Sequence, residues 1–429
     1  MYTLPYSKAE IAFELLPGMK GTLIRANSIP PLAEVSAEIN KALTRPINSA
    51  PLKEIAKKAE SVCIVFTDMT RACPDHLLIP PILSELHKAG VRRQDITLLC
   101  GTGLHRPSTY EEKVTKLGAD VVESYRVVDN TPQDRANFVD LRRRENEVPM
   151  SVNSIAYEAD LLISTGIVEP HQYAGYSGGR KTLAIGAASE EMIGYTHGPA
   201  LVDHPGTRLG KIEGNPFHDA ITESAKRAGL RFILNVVLDE VQRPVAICGG
   251  GPEAAFAQLV AVAQNAYTVP VLHEYDVVIG GVGFPKDTNL YQASRASSYI
   301  FFAPTPVVKK GGVIITPARC HEGAGLGVGE QRFYEELRSA PNVRALLEKM
   351  RRDGYQAGAQ RAFIMAKVME VNPVVIVGAE HPDVVKDTKM VPAKTMTEAL
   401  QFAVNHIARP DLDVLIIPHA LLTLPYVQR

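Results

Sequence analysis

The chain has 429 residues, 45% hydrophobic and 22% charged, which suits a folded soluble protein with room for more than one core. Its 46 basic and 47 acidic side chains leave a formal net charge of -1, so no global field draws nucleic acid or an anionic membrane, and partners have to be recognised locally. Five scattered cysteines (Cys63, Cys73, Cys100, Cys248, Cys320) with no C-x-x-C pair argue against a disulfide framework or a cysteine-built zinc site. With no basic leader and no apolar run of about 18 residues, the expectation is a cytoplasmic protein without a membrane span.

In chain order, apolar runs bounded by turn residues predict strands buried on both faces at 61–68, 95–103, 159–168, 231–239, 275–283, 311–318, 372–379 and 412–418. Helix signals lie between them. Asp75 is placed as the N-cap of a helix that stops at Gly90, Ser108 and Glu111 as a capping box before a stop at Gly118, and 218–228 as a helix before Gly229. The alternation predicts an α/β fold: two domains with mainly parallel sheets flanked by helices, joined by right-handed crossovers, with an active-site cleft between them. A proline-bearing break at 263–276 sets the domains at 1–268 and 269–429, the last stretch of chain being able to pack back on the N-terminal domain.

Three successive predicted strands end in reactive side chains, where open parallel sheets bind their ligands. The first ends in DMTR (Asp68, Thr70, Arg71), the second in GTGLHRPS (His105), the third in EPHQYAGYSGGRKT (His171, Lys181), and His197 follows in THGPAL. The segment GYSGGRKT is one residue from a nucleotide-binding loop: Gly175, Lys181 and Thr182 are in register, but Arg180 replaces the second glycine. A Cβ there disfavours NTP hydrolysis and leaves anion binding open.

The run EPHQYAGYSGGRK, followed by THGPAL, preceded by DMTR and GTGLHRPST and extended by FPKDTNLYQASRA, resembles the nickel-dependent lactate racemase family over most of the chain. The resemblance implies a nickel-pincer nucleotide (a nickel pyridinium-3,5-bisthiocarboxylic acid mononucleotide) bound covalently at Lys181, with His197 as the protein ligand of nickel. It implies His105 and His171 as the catalytic acid–base pair and Arg71 beside the substrate carboxylate. Asp68 and Thr70 then lie in a cofactor-holding loop, Gly178 and Gly179 let the cofactor approach the backbone, and Tyr291, Gln292 and Arg295 form a second-domain motif facing the same cleft, Arg295 toward substrate. Enzymes that build the cofactor are the implied maturation partners.

The chemistry supports the assignment. Removing a proton from Cα of a 2-hydroxy acid would place a carbanion beside a carboxylate, whereas moving a hydride avoids that charge and passes through a planar 2-keto acid. The hydroxyls of mirror-image substrates point different ways, so two histidines, with ordinary pKa values of about 6.5, can each serve one hand. Lactate-specific members of the family carry a tryptophan beside the substrate methyl and this chain has none, so a larger or more polar 2-hydroxy acid is expected. A phosphate-loop ATPase or kinase, and a non-catalytic nucleotide- or nickel-binding protein, are the alternatives.

Overall fold

The computed structural model describes residues 1–428 except Asn146 and Ala357. It divides into two compact units, one comprising Ser28–Thr207 and Lys211–Ala266, the other comprising Met1–Asn27, Arg208–Gly210 and the chain from Tyr267 onward.

In the first unit six strands form one sheet in the order Pro244–Gly250, Leu230–Leu238, Leu161–Ile167, Val62–Thr67, Ile96–Gly101, Arg126–Asp129. All neighbours are parallel except Pro244–Gly250, which returns antiparallel along Leu230–Leu238. The apolar runs dictate the central positions: every residue of Val62–Thr67 and Leu161–Ile167 is buried, as a strand covered on both faces requires. Leu78, Ile82 and Leu86 of the helix Asp75–Lys88 pack with Ile64, Phe66, Leu98 and Ile163 of the sheet, each such side chain contributing about 1.5–3 kcal/mol on burial. From Val62–Thr67 the chain steps outward through Ile96–Gly101 and Arg126–Asp129, then returns to Leu161–Ile167 on the other side. The topological switch point therefore falls between Val62–Thr67 and Leu161–Ile167, where a doubly wound sheet opens a crevice at its carboxyl edge.

Two helix starts differ from expectation. The capping box is Thr109 with Glu112, one residue beyond Ser108 and Glu111, and the helix Tyr110–Leu117 ends at Gly118 with φ 91°. Asp75 is not a cap: Pro74 holds that position, and Asp75 is the first helical residue with its carboxylate turned into the core.

The second unit is built on a parallel sheet in the order Val391–Ala393, Val374–Val377, Val308–Pro317, Tyr275–Gly280, Asp413–Ile417, Lys20–Leu23. Lys20–Leu23, placed by sequence in the N-terminal domain, extends this sheet beside Asp413–Ile417, and the terminal strand Leu424–Val427, given the freedom to pack on either domain, pairs in parallel with Thr268–Val271 of this unit. Main-chain pairing captures both, and Lys20–Leu23 carries no apolar run that would reveal it. The switch point of this sheet lies between Tyr275–Gly280 and Asp413–Ile417, and the loop leaving Tyr275–Gly280 leads into the helix Leu290–Phe301.

Candidate active site

At the carboxyl edge of the first unit, the loop after Val62–Thr67 turns back at once, the Arg71 N–H donating to the carbonyl of Asp68 at 3.2 Å. Oδ2 of Asp68 stands 2.6 Å from Nδ1 of His105, on the loop after the adjacent strand, and the Thr70 hydroxyl donates to Oδ1 of Asp68 at 2.8 Å. Burial pushes the Asp68 carboxyl up, but the hydrogen bond and charge of His105, with Arg71 nearby, hold it below the usual carboxylate range. In such a pair the carboxylate fixes the tautomer of the imidazole and stabilises it when protonated. Asp68 and Thr70, expected to hold cofactor, are in this structure bonded to His105 and to each other.

The third strand end supplies a tight hairpin. Pro170–His171 pairs antiparallel with Gly175–Tyr176, and Nδ1 of His171 receives the main-chain N–H groups of Tyr173 and Ala174, each at 3.2 Å. Gly175 has φ 74°. A Cβ on it would stand 2.1 Å from the carbonyl oxygen of Lys211, so only glycine closes this turn. Asn215, fully buried, donates from Nδ2 to the carbonyls of Tyr173 at 2.8 Å and Lys211 at 2.9 Å, while its Oδ1 caps the helix Pro216–Arg227.

Lys181 follows Gly178 and Gly179 at the start of a helical segment that widens into a π turn over Thr182–Gly186. Gly178 has φ 149°, and the places that Cβ atoms on Gly178 and Gly179 would take are crowded by Phe256, Asn235, Ile233 and Ser164. These glycines are therefore demanded by packing on the sheet. Arg180, at the second glycine position of a phosphate loop, is 3% exposed, lies 3.9 Å over the Phe256 ring and donates to Thr222. Its guanidinium is thus held in the protein interior, against Phe256 and Thr222.

His197 closes the helix Glu190–Thr196. Its Nδ1 lies 3.1 Å from the Ile193 carbonyl, which can only accept, so the ring proton sits on Nδ1 and Nε2 keeps its lone pair. The ring is wedged edge-on between Tyr173 (5.4 Å, 86°) and Phe217 (5.1 Å, 86°), and His171 touches the same two rings at 5.8 and 6.3 Å. Burial, then the charge of Lys181, drive its pKa down to about 3, the Ile193 hydrogen bond opposing and Arg71 assisting. The ring is thus neutral, and Lys181 and Arg71 are its charged neighbours.

Asp68, Arg71, His105, His171, Lys181 and His197 accordingly share one unit, on loops at one edge of its sheet. Tyr291, Gln292 and Arg295 belong to the other unit, on the helix Leu290–Phe301 that follows its own switch-point strand, where Asn289 caps the Gln292 N–H at 2.9 Å and Arg295 donates to Tyr299 at 3.2 Å. Sequence reasoning missed Lys116, Asn215 and the Tyr173–Phe217 pair. Lys116, 6% exposed, donates to the carbonyls of Arg71 at 2.9 Å and Cys73 at 2.7 Å, and lies 3.3 Å from the Asp75 carboxylate. It anchors the loop that carries Asp68 and Arg71 through its main chain, a role that a lysine in an amphipathic helix does not advertise.

The donor set fits a cofactor that brings its own metal ligands. Among the described residues no three His, Cys, Asp or Glu side chains cluster to hold a metal ion; His197 turns Nδ1 to the Ile193 carbonyl, and Lys181 is one of its charged neighbours.

Comparison with known proteins agrees. Residues 6–210 match the family described as the lactate racemase N-terminal domain, and residues 272–423 the lactate racemase C-terminal domain. The chain is 31% identical over 418 residues to a lactate racemase of Thermoanaerobacterium thermosaccharolyticum, covering 97% of this chain and 96% of that protein. It is 33% identical over 373 residues to the lactate racemase of Lactiplantibacillus plantarum, covering 85% of each. The solved lactate racemase apoprotein from T. thermosaccharolyticum superposes with a TM-score of 0.88 at 29% identity, covering 99% of both chains. A Thermotoga maritima protein at 18% identity and TM-score 0.66 shares the fold. The chain therefore belongs to the lactate racemase family, nickel-dependent isomerases of the racemase class.

Proposed function

We propose that this protein interconverts the configurations at Cα of a 2-hydroxy acid larger or more polar than lactate, by hydride rather than proton removal at carbon. Lys181 would hold a nickel-pincer nucleotide covalently, and Nε2 of His197 would complete the coordination of its nickel. When bound, the cofactor supplies a pyridinium-type centre that takes up and returns a hydride.

The chain's own residues do the rest. Arg71 engages the substrate carboxylate as a planar bidentate donor and fixes which bond faces the reacting centre. His105 and His171 exchange the hydroxyl proton, and the Asp68 carboxylate stabilises the imidazolium formed at His105. The buried rings of Tyr173 and Phe217 pack edge-on against His197 and hold its orientation. Enzymes that assemble the cofactor are required partners, and a chain made without them would be inactive. Among the described residues no helix is long and apolar enough to cross a membrane.

The observation that carries this reading is the part-buried, neutral His197 with its ring proton on Nδ1 and with Lys181 and Arg71 as its charged neighbours. The experiment is intact-mass analysis of protein co-produced with the cofactor-building enzymes, followed by a screen of enantiopure 2-hydroxy acids for loss of optical purity. A mass adduct that disappears in Lys181→Ala, together with isomer exchange, supports it. An unmodified wild-type chain that nonetheless exchanges isomers refutes it.

A further inference from the structure

His105 and His171 have unlike hydrogen-bond partners, and the difference decides where each ring keeps its proton. Nδ1 of His105 faces the Asp68 carboxylate at 2.6 Å, and an ionised carboxylate can only accept. That nitrogen therefore carries hydrogen, and Nε2 is left with a lone pair. Nδ1 of His171 faces two main-chain N–H groups, those of Tyr173 and Ala174, each at 3.2 Å, and amide N–H groups can only donate. Here Nδ1 supplies the lone pair, and in the neutral ring the hydrogen is on Nε2.

The turn that aims those two N–H groups is built to stay. Asn215 holds the Tyr173 carbonyl from behind at 2.8 Å, the hairpin pairs His171 with Gly175, and Gly175 lies against the Lys211 carbonyl, which Asn215 also holds.

We propose that the resting chain holds its two active-site histidines as opposite tautomers, His105 as a proton acceptor at Nε2 and His171 as a hydrogen-bond donor at Nε2, with Asn215 the positioning residue that enforces the second. The inference rests on the reading of both rings as acid–bases given above and adds an asymmetry to it. A substrate whose hydroxyl meets His105 finds a lone pair ready: the O–H bond breaks, its proton passes to Nε2, and the Asp68 carboxylate balances the imidazolium. A hydroxyl of the opposite hand that meets His171 finds an N–H and can only receive a hydrogen bond. For His171 to take a proton there, Nδ1 has to leave both main-chain donors and bear the hydrogen instead, by a turn of the ring or a shift of residues 172–174.

The test is long-range proton–nitrogen NMR of the histidine rings in the full chain, labelled with nitrogen-15 histidine and produced without cofactor, at about pH 8, where an ordinary histidine is neutral. His105→Gln and His171→Gln assign the signals. The expected result is a protonated Nδ1 and bare Nε2 for His105 and the reverse for His171. Asn215→Asp keeps the helix cap but loses both donated hydrogen bonds, and is expected to turn the His171 signals into a mixture while leaving those of His105 unchanged. Like tautomers in the two rings, or a mixture at His171 in the unaltered chain, would overturn the proposal; this holds even if Asn215→Asp does not fold. Because the readout needs no turnover, its failure is separable from that of the proposed function: unlike tautomers in a cofactor-loaded chain that exchanges no isomers would refute the function alone.

Discussion

Nδ1 of His197 donates to the carbonyl of Ile193, four residues earlier on the same helix, at 3.1 Å. The bond leaves Nε2 as the only donor the ring can offer a metal, and outer-shell partners of this kind are worth about 10–100-fold in metal affinity. The proposed function gives metal retention and covalent attachment to different residues. In His197→Ala, purified with the cofactor-building enzymes, the adduct mass on Lys181 should persist while nickel content after mild chelation drops at least about 10-fold. Loss of the adduct together with the nickel would show that the two functions are not divided this way.

Lys116 offers a stability prediction. Its ammonium is caged by the Arg71 and Cys73 carbonyls and by Asp75, which is fully buried and also accepts from Thr67 at 2.7 Å and Thr165 at 2.5 Å. Removing one member of a buried ion pair leaves an uncompensated charge, at a cost of about 3–5 kcal/mol. Lys116→Met should lower urea-unfolding stability by that order, and Lys116→Met with Asp75→Asn should recover part of it. A single variant as stable as the parent would mean that the anchor contributes nothing to the loop bearing Asp68 and Arg71.

The runs of apolar residues that name the central strands also name the strand ends where the candidate site residues gather, and this is why those positions were legible. All eight runs read as buried strands form strands, because a strand covered on both faces has no freedom to be polar. Lys20–Leu23 was not legible: all four of its residues are exposed, and its place is set by main-chain pairing alone. The site shows the same division. His105, His171 and Lys181 could be named because each follows a strand that announces itself. The Asp68–His105 bond, spanning 37 residues, and the clamp of Asn215 on Tyr173 depend on how loops turn, which no periodicity records.

Gly166 tests how closely the lysine-bearing loop depends on the sheet. A Cβ at this position in Leu161–Ile167 would stand 2.4 Å from the main-chain nitrogen of Gly179 and 2.6 Å from the carbonyl carbon of Gly178. Both neighbours are backbone, so the segment carrying Lys181 would have to move. Gly166→Ala should cost about 1–3 kcal/mol as an overpacking change and reduce the yield of covalent adduct more than the yield of folded protein. Normal adduct yield in a destabilised variant would show that Lys181 tolerates a displaced loop.

His218 gives the pH dependence. It lies buried on the helix Pro216–Arg227, 5.8 Å from the Phe256 ring, and burial, then the charge of Arg180, drive its pKa down to about 4 against a hydrogen bond to the Ala174 main chain. In the unfolded chain the ring titrates at about 6.5. Above that value neither state binds the proton and His218 contributes nothing to the pH dependence. Between about 6.5 and 4 the unfolded chain takes up a proton that the folded chain refuses, so stability falls with acidification, at no more than about 1.4 kcal/mol per pH unit for this one group. Replacing the ring by phenylalanine removes the term while keeping an apolar body on the same helix face. Urea unfolding of parent and His218→Phe at several pH values through this window should show the parent losing stability faster as the solution is acidified, with parallel behaviour above it. Other titrating groups cancel in the comparison, so a difference that stays constant across the window would mean that His218 protonates as readily in the folded chain as in the unfolded one.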